Sequence, residues 1–178
     1  MLFYTVPYLL FFLPISIFLF FYSKYLKVDP KIILIFLSIF FYSWWNIYYL
    51  PVILSSILIN YYCCKNIISK KTKKKKFLVL GIILNVLLLV IFKYADFIIQ
   101  NINLVFSTDL IYLNLPFPLA ISFFTFQSIA FLVNVYDEDI LDVKAKDFFL
   151  FIVFFPQLIA GPIVKYNKMM PQFNNKAN

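Results

Sequence analysis

The sequence predicts an all-α, polytopic transmembrane protein with about six membrane segments. One segment is broken or re-entrant near Pro156 and Pro162, and one helix is amphipathic and interfacial. Three observations predict this. Hydrophobic residues make up 63% of the 178 residues and charged residues 13%, about half the charge of a soluble protein. Uncharged stretches cover 1–23, 32–64, 77–92, 110–136 and 148–164, and a spanning helix needs about 20 apolar residues. The lysines fall between these stretches, with Lys65, Lys70, Lys71, Lys73, Lys74, Lys75 and Lys76 in one short segment. A single transmembrane domain over 1–178 accounts for all three. The net charge of +8 is therefore not a nucleic-acid footprint. Basic loops beside apolar spans mark a cytoplasmic side and attract anionic headgroups, which makes membrane lipids a partner.

Residues 1–23 form the first span. They lack a basic start and a small-residue cleavage site before Lys24, so they do not read as a removable leader. Pro7 lies near the start and Pro14 is a kink. Lys24, Lys27 and Lys31 follow, with Asp29-Pro30 as a turn. As one helix, 32–64 would be about 50 Å long against a ~30 Å hydrocarbon core, so the chain must turn back. Residues 45–51 are the place. Trp45, Tyr48 and Tyr49 suit the headgroup level, and Pro51 suits a first helical turn. The spans are then 32–45 and 51–64. Asn60 in the second predicts a hydrogen bond to another helix, worth ~1 kcal/mol. Cys63 and Cys64 have no histidine beside them, which argues against a metal site. Apolar filler fits them better than a bridge between neighbours or thiol acylation.

Residues 77–92 are the next span, with Asn85 at its middle. Lys93 and Asp96 are spaced to pair. Asp96, Gln100, Asn103 and Ser107 form a polar stripe opposite Phe97, Ile98, Ile102, Val105 and Phe106, which predicts the interfacial amphipathic helix. It caps a cavity or merely connects. Residues 108–117 are a loop. The span 119–136 carries Ser122, Thr125, Gln127, Ser128 and Asn134, a stripe that serves helix packing or lines a polar cavity. Residues 137–147 hold five acids without calcium-loop spacing and read as a solvated loop. In 148–166, Pro156 crowds the carbonyl of Ile152 and ends or kinks a helix. Gly161-Pro162 is a second break. Broken backbone at membrane depth is buried in protein or lines a cavity, although a plain span ending in a Gly-Pro turn also fits. Gln157 needs partners in such surroundings, and the carbonyls of Ile152 and Leu158 are the expected ones. Lys165, Lys168 and Lys176 lead into a polar tail.

Lys24, Lys27, Lys31 and the seven lysines of 65–76 fall on one side if 45–51 lies on the other. That side is expected to be cytoplasmic, with Met1 outside and 137–147 inside. The chemistry of the chain is defined by what is missing. There is no histidine, no phosphate-cradling glycine loop and no carboxylate pair within an apolar stretch, so no catalytic constellation is complete.

The order of four segments carries a resemblance: Phe41-Tyr42-Ser43-Trp44-Trp45, Phe92-Lys93-Tyr94-Ala95-Asp96-Phe97, Pro118-Leu119-Ala120-Ile121-Ser122-Phe123-Phe124-Thr125-Phe126-Gln127 and Phe154-Phe155-Pro156-Gln157-Leu158-Ile159-Ala160-Gly161-Pro162-Ile163. The chain resembles the N-terminal portion of the membrane-bound O-acyltransferases, in the alginate O-acetyltransferase-like branch. The resemblance implies an enzyme of the bacterial plasma membrane that passes acetyl groups toward hydroxyls of an exported polysaccharide. It implies an acyl thioester donor such as acetyl-CoA, no bound cofactor, and an extracytoplasmic acetyltransferase as a possible partner. In the family an invariant histidine acts as general base in the later half, so 1–178 by itself is expected to be an inactive, truncated part. Gln127, Gln157, Gly161, Pro162 and Tyr166 are the candidate chamber-lining residues, with no catalytic residue and no metal ligand among the 178. Two alternatives stand beside this reading. One is D-alanyl transfer to teichoic acid within the same family. The other is a non-enzymatic membrane subunit; a transporter would show intramembrane charge or an internal repeat, and neither is present.

Overall fold

The computed structural model describes residues 5–23, 25–158, 161–162 and 164–174. The expectations resting on Met1, Lys24, Ile159, Ala160, Ile163 and Lys176 lie outside the described residues. Among the described residues every regular element is helical. A π turn, Tyr8–Phe12, runs into α1, Leu13–Tyr22. The helix α2 is Pro30–Trp45, capped by the Asp29 carboxylate on the Lys31 N–H with Pro30 in the first turn. A 3-10 turn, Ile47–Tyr49, reverses the chain into α3, Leu50–Ser69, which carries Pro51 in its first turn. The aromatic turn thus divides 32–64 where expected.

Residues 74–106 depart from expectation. The helix α4, Lys74–Leu89, passes through a π turn, Val90–Tyr94, into α5, Ala95–Phe106. Together they form one helix of 33 residues, so the amphipathic segment continues a span and is not a separate interfacial helix. Its polar stripe turns toward the following loop. The Asp96 carboxylate accepts from the N–H groups of Leu113 (2.7 Å) and Asn114 (3.0 Å), and Asn103 is bonded to both backbone groups of Leu110. The expected Lys93–Asp96 pair does not form: Lys93 Nζ instead lies 5.5 Å from the Tyr94 ring centroid. The loop's backbone N–H groups had no helical partner, and the carboxylate satisfies two of them.

The remaining helices are α6, Ile121–Tyr136, α7, Ala145–Val153, the single turn α8, Phe155–Leu158, and α9, Tyr166–Asn174. The last takes in the start of the expected polar tail: Met169 and Met170 are buried, and Phe173 packs edge-on against Phe154. Two helices, Ile47–Ser69 and Lys74–Phe106, are long and apolar enough to cross a membrane, and Tyr8–Tyr22, Pro30–Trp45 and Ile121–Tyr136 are shorter apolar helices. Apolar side chains face outward along them, which suggests a membrane protein.

A seam of α3, α4 and α6 forms the centre. A Cβ on Gly81 would lie 2.4 Å from Leu132 Cδ1 and 3.6 Å from the Cys63 side chain, so glycine lets α4 approach α6 closely. One turn along, Asn60 and Asn85 exchange amide hydrogen bonds of 2.7 and 3.2 Å. This is the interhelical bond expected of Asn60. Both cysteines are buried and free.

The acidic loop is not merely solvated. Lys31 pairs with Asp147 at 2.6 Å and Lys146 pairs with Asp29; Lys65 pairs with Asp142 and Lys74 with Glu138. The loops before α2, α3–α4 and α6–α7 therefore share one face. Ile140, Val143 and Asp147 are buried there. Burial raises the affinity of Asp29 for its proton, but hydrogen bonds from Lys146 and the Lys31 N–H, with the two ammonium charges, hold its carboxyl below the usual range.

Candidate functional site

The site is the interruption between α7 and α8. Lys31–Asp147 fixes the start of α7 against α2, and Phe155 meets Ser38 two turns further along both helices, so α2 and α7 run in the same direction. The backbone leaves the helix at Phe154 (φ −51°, ψ 103°). Sequence reasoning placed the kink at Pro156, which instead sits inside the short α8. Phe154 N–H still reaches the Leu150 carbonyl at 3.0 Å, whereas the N–H groups of Gln157 and Leu158 both turn to the Phe154 carbonyl.

The hydrogen bond lost between them is Phe155 N–H to the Phe151 carbonyl. Each half has a side-chain partner. Phe155 N–H donates to Ser38 Oγ at 3.2 Å, and the Ser38 hydroxyl donates to the Leu34 carbonyl at 2.7 Å. Gln127 Nε2 donates to the Phe151 carbonyl at 3.0 Å. Ser38 is 0% and Gln127 1% exposed. The carbonyl freed at this break is thus satisfied by Gln127, a partner that sequence reasoning did not assign to it. Gln127 Oε1, Ser128 Oγ on the next residue and Tyr42 OH on α2 are each buried without a hydrogen-bond partner among the described residues, which is unusual in a packed interior.

The five predicted residues fall in three places. Gln127 is inside, at the interruption. Gln157 is half-buried and donates to the Pro162 carbonyl at 3.4 Å; the carbonyls of Ile152 and Leu158 are not its partners. Gly161, at φ +151°, has only Gln157 Cγ within 4 Å of where a Cβ would stand, so its backbone conformation and not crowding requires glycine. Gly161 and Pro162 are exposed. Tyr166 is buried, with its ring edge-on to Phe131 and Phe151 at 5.2 and 5.4 Å. It lines a polar recess of about 360 Å³ with Asp142, Lys144, Asp147 and Asn167 on the ion-paired face.

Two apolar grooves flank the interruption and α1. One of about 240 Å³ is lined by Leu13, Phe20, Leu34, Phe154 and Pro156. The other, about 440 Å³, lies between Phe11, Phe12, Leu37, Phe40 and Trp44. Phe12, Phe41 and Phe155 form an aromatic cluster between them, with ring centroids 5.1–5.7 Å apart. Sequence reasoning missed Ser38 and the Lys31–Asp147 pair. Ser38 looks the same in sequence as Ser43, which only bonds its own helix at Ile39. The acid–base pair spans 116 residues.

The chain is 39% identical over 176 residues to a protein named peptidoglycan O-acetyltransferase from Helicobacter pylori, covering 84% of this chain and 33% of that protein. It is 30% identical over 186 residues to a probable alginate O-acetylase, AlgI, from Pseudomonas syringae pv. tomato, and 28% identical over 186 residues to one from Pseudomonas aeruginosa. Those matches cover 100% of this chain and 36% and 35% of the relatives. The chain therefore spans about a third of the length of the curated relatives it matches. No family model and no solved structure matches it.

Proposed function

We propose that the chain belongs to a membrane enzyme of the membrane-bound O-acyltransferase type that acetylates hydroxyls of a cell-surface polysaccharide. The observation that carries this reading is the similarity to two sets of relatives named for O-acetylation, one on peptidoglycan and one on alginate. Both names favour acetyl over D-alanyl. The interruption of α7 is compatible with it, because it places polar, non-helical backbone among membrane helices, where such backbone is buried in protein or lines a cavity.

In the proposed reaction an acceptor hydroxyl attacks the carbonyl of an acyl thioester such as acetyl-CoA, giving an ester and a free thiol. A base must take the hydroxyl proton. These 178 residues contain no histidine, so the imidazole that the resemblance implies is not supplied by them. Gln127 lies inside and Gln157, Gly161 and Pro162 outside the same interruption; they are the residues we assign to the chamber wall, with Tyr166 at the recess below. Six segments cross the bacterial plasma membrane in this reading, with the N-terminus outside and the ion-paired face in the cytoplasm. An extracytoplasmic acetyltransferase would complete the transfer.

Deleting the gene tests the proposal. Acetate released from the cell-surface polysaccharide by mild base should fall at least tenfold and return on complementation. Unchanged acetate, or loss of ester-linked alanine in its place, would overturn the assignment.

A further inference from the structure

Proline alone does not explain where α7 opens. Pro156 lacks its own N–H and crowds the Ile152 carbonyl, and it restricts the residue before it, Phe155. None of this forbids Phe155 N–H from bonding the Phe151 carbonyl, the next bond in an uninterrupted helix. Yet that bond is given up, and the departure from helical geometry is at Phe154. Its donor is taken by Ser38 from α2 and its acceptor by Gln127 from α6. Both side chains are buried, where a peptide group without a partner is costly.

We propose that Ser38 and Gln127 are positioning residues: acting from opposite sides, they hold α7 open at the Phe151–Phe155 bond and so set where residues 155–158 stand. The proposal rests on the acetyl-transfer reading for its consequence in activity, but the clamp itself does not. Each half depends on the other. Without Ser38 the Phe155 N–H competes with Gln127 for the Phe151 carbonyl. Without Gln127 the carbonyl is free, while Ser38 still draws the N–H away. With either one removed the opening is no longer held in place; only with both removed does the helix bond close fully and fix the Phe155 ring and Pro156 in new positions.

The test uses Ser38→Val, Ser38→Thr, Gln127→Leu and the double variant Ser38→Val/Gln127→Leu, produced from the gene in its own cells. Threonine and valine have the same shape and differ in the hydroxyl. Three quantities are read: thermal stability in detergent, hydrogen exchange of the Phe155 amide, and ester-linked acetate per folded protein. Ser38→Val and Gln127→Leu should each lower acetate per folded protein at least tenfold, and Ser38→Thr should keep it within twofold of wild type. The double variant should lose less stability than the two singles summed and keep its Phe155 amide protected, because the helix bond re-forms, while acetate stays low. Summed stability losses, or wild-type acetate per folded protein in either single variant, would overturn the clamp. If acetate does not depend on the gene at all, the acetyl-transfer reading fails, and the stability cycle with the Phe155 exchange still decides the clamp.

Discussion

The Lys31–Asp147 pair shows how burial changes the weight of a single contact. Each side chain is 8% exposed, and the ammonium and carboxylate lie 2.6 Å apart. Desolvating two charges offsets most of their attraction, but removing one leaves the other buried without this counterion, at about 3–5 kcal/mol. Asp147→Ala should therefore lower stability in detergent by about that amount, and adding Lys31→Met should restore most of it. A loss under ~1 kcal/mol in the single variant would mean that Lys31 finds water or another acceptor. Lys74–Glu138 has the same chemistry at 2.9 Å, but the glutamate is 69% exposed. Screening and side-chain entropy leave such a pair worth about 0–1 kcal/mol.

At the scale of elements, close approach holds the centre together. Lipid tails are as apolar as leucine, so helices in a membrane gain little from hiding apolar surface from each other; small residues and interhelical hydrogen bonds decide the packing. Gly81 meets Leu132 and Cys63, and one turn away Asn60 and Asn85 exchange their amides. In Gly81→Ala the new methyl would stand 2.4 Å from Leu132 Cδ1, and Leu132 is fully buried. The variant should unfold at lower temperature, by ~1–3 kcal/mol of overpacking, despite alanine's better helix propensity. Paired with Leu132→Ala, the total loss should be smaller than the sum, because the cavity accepts the methyl. An additive cycle would show that α4 and α6 separate there with little cost.

For the whole molecule, the ion pairs gather three loops on one face, with the basic 65–76 segment answered by acids of the 137–147 loop. Seven lysines in so short a segment resist translocation, so the proposed orientation puts that face in the cytoplasm. With Cys63 and Cys64 changed to alanine, Thr72→Cys should resist an impermeant thiol reagent in intact cells and react once the cells are opened. Rapid labelling of intact cells would invert the orientation.

Sequence by itself determined the class of this protein. A chain that is 63% hydrophobic with charge confined between apolar stretches can satisfy its backbone in a bilayer only as helices or a closed barrel. The length of the 32–64 stretch required the turn at residues 45–51. Asn60 was legible too, since an amide in an apolar helix must find a partner. The place of the interruption was decided by tertiary structure. Pro156 and Gly161-Pro162 announced a break, but the bond surrendered, Phe155 to Phe151, depends on Ser38 and Gln127, which are 117 and 24 residues away from their partners. The same holds for Asp147, which reads as one acid among five until Lys31 meets it across 116 residues. Local pattern records which groups lack a partner within their own helix. Which distant side chain satisfies them is set when the helices pack.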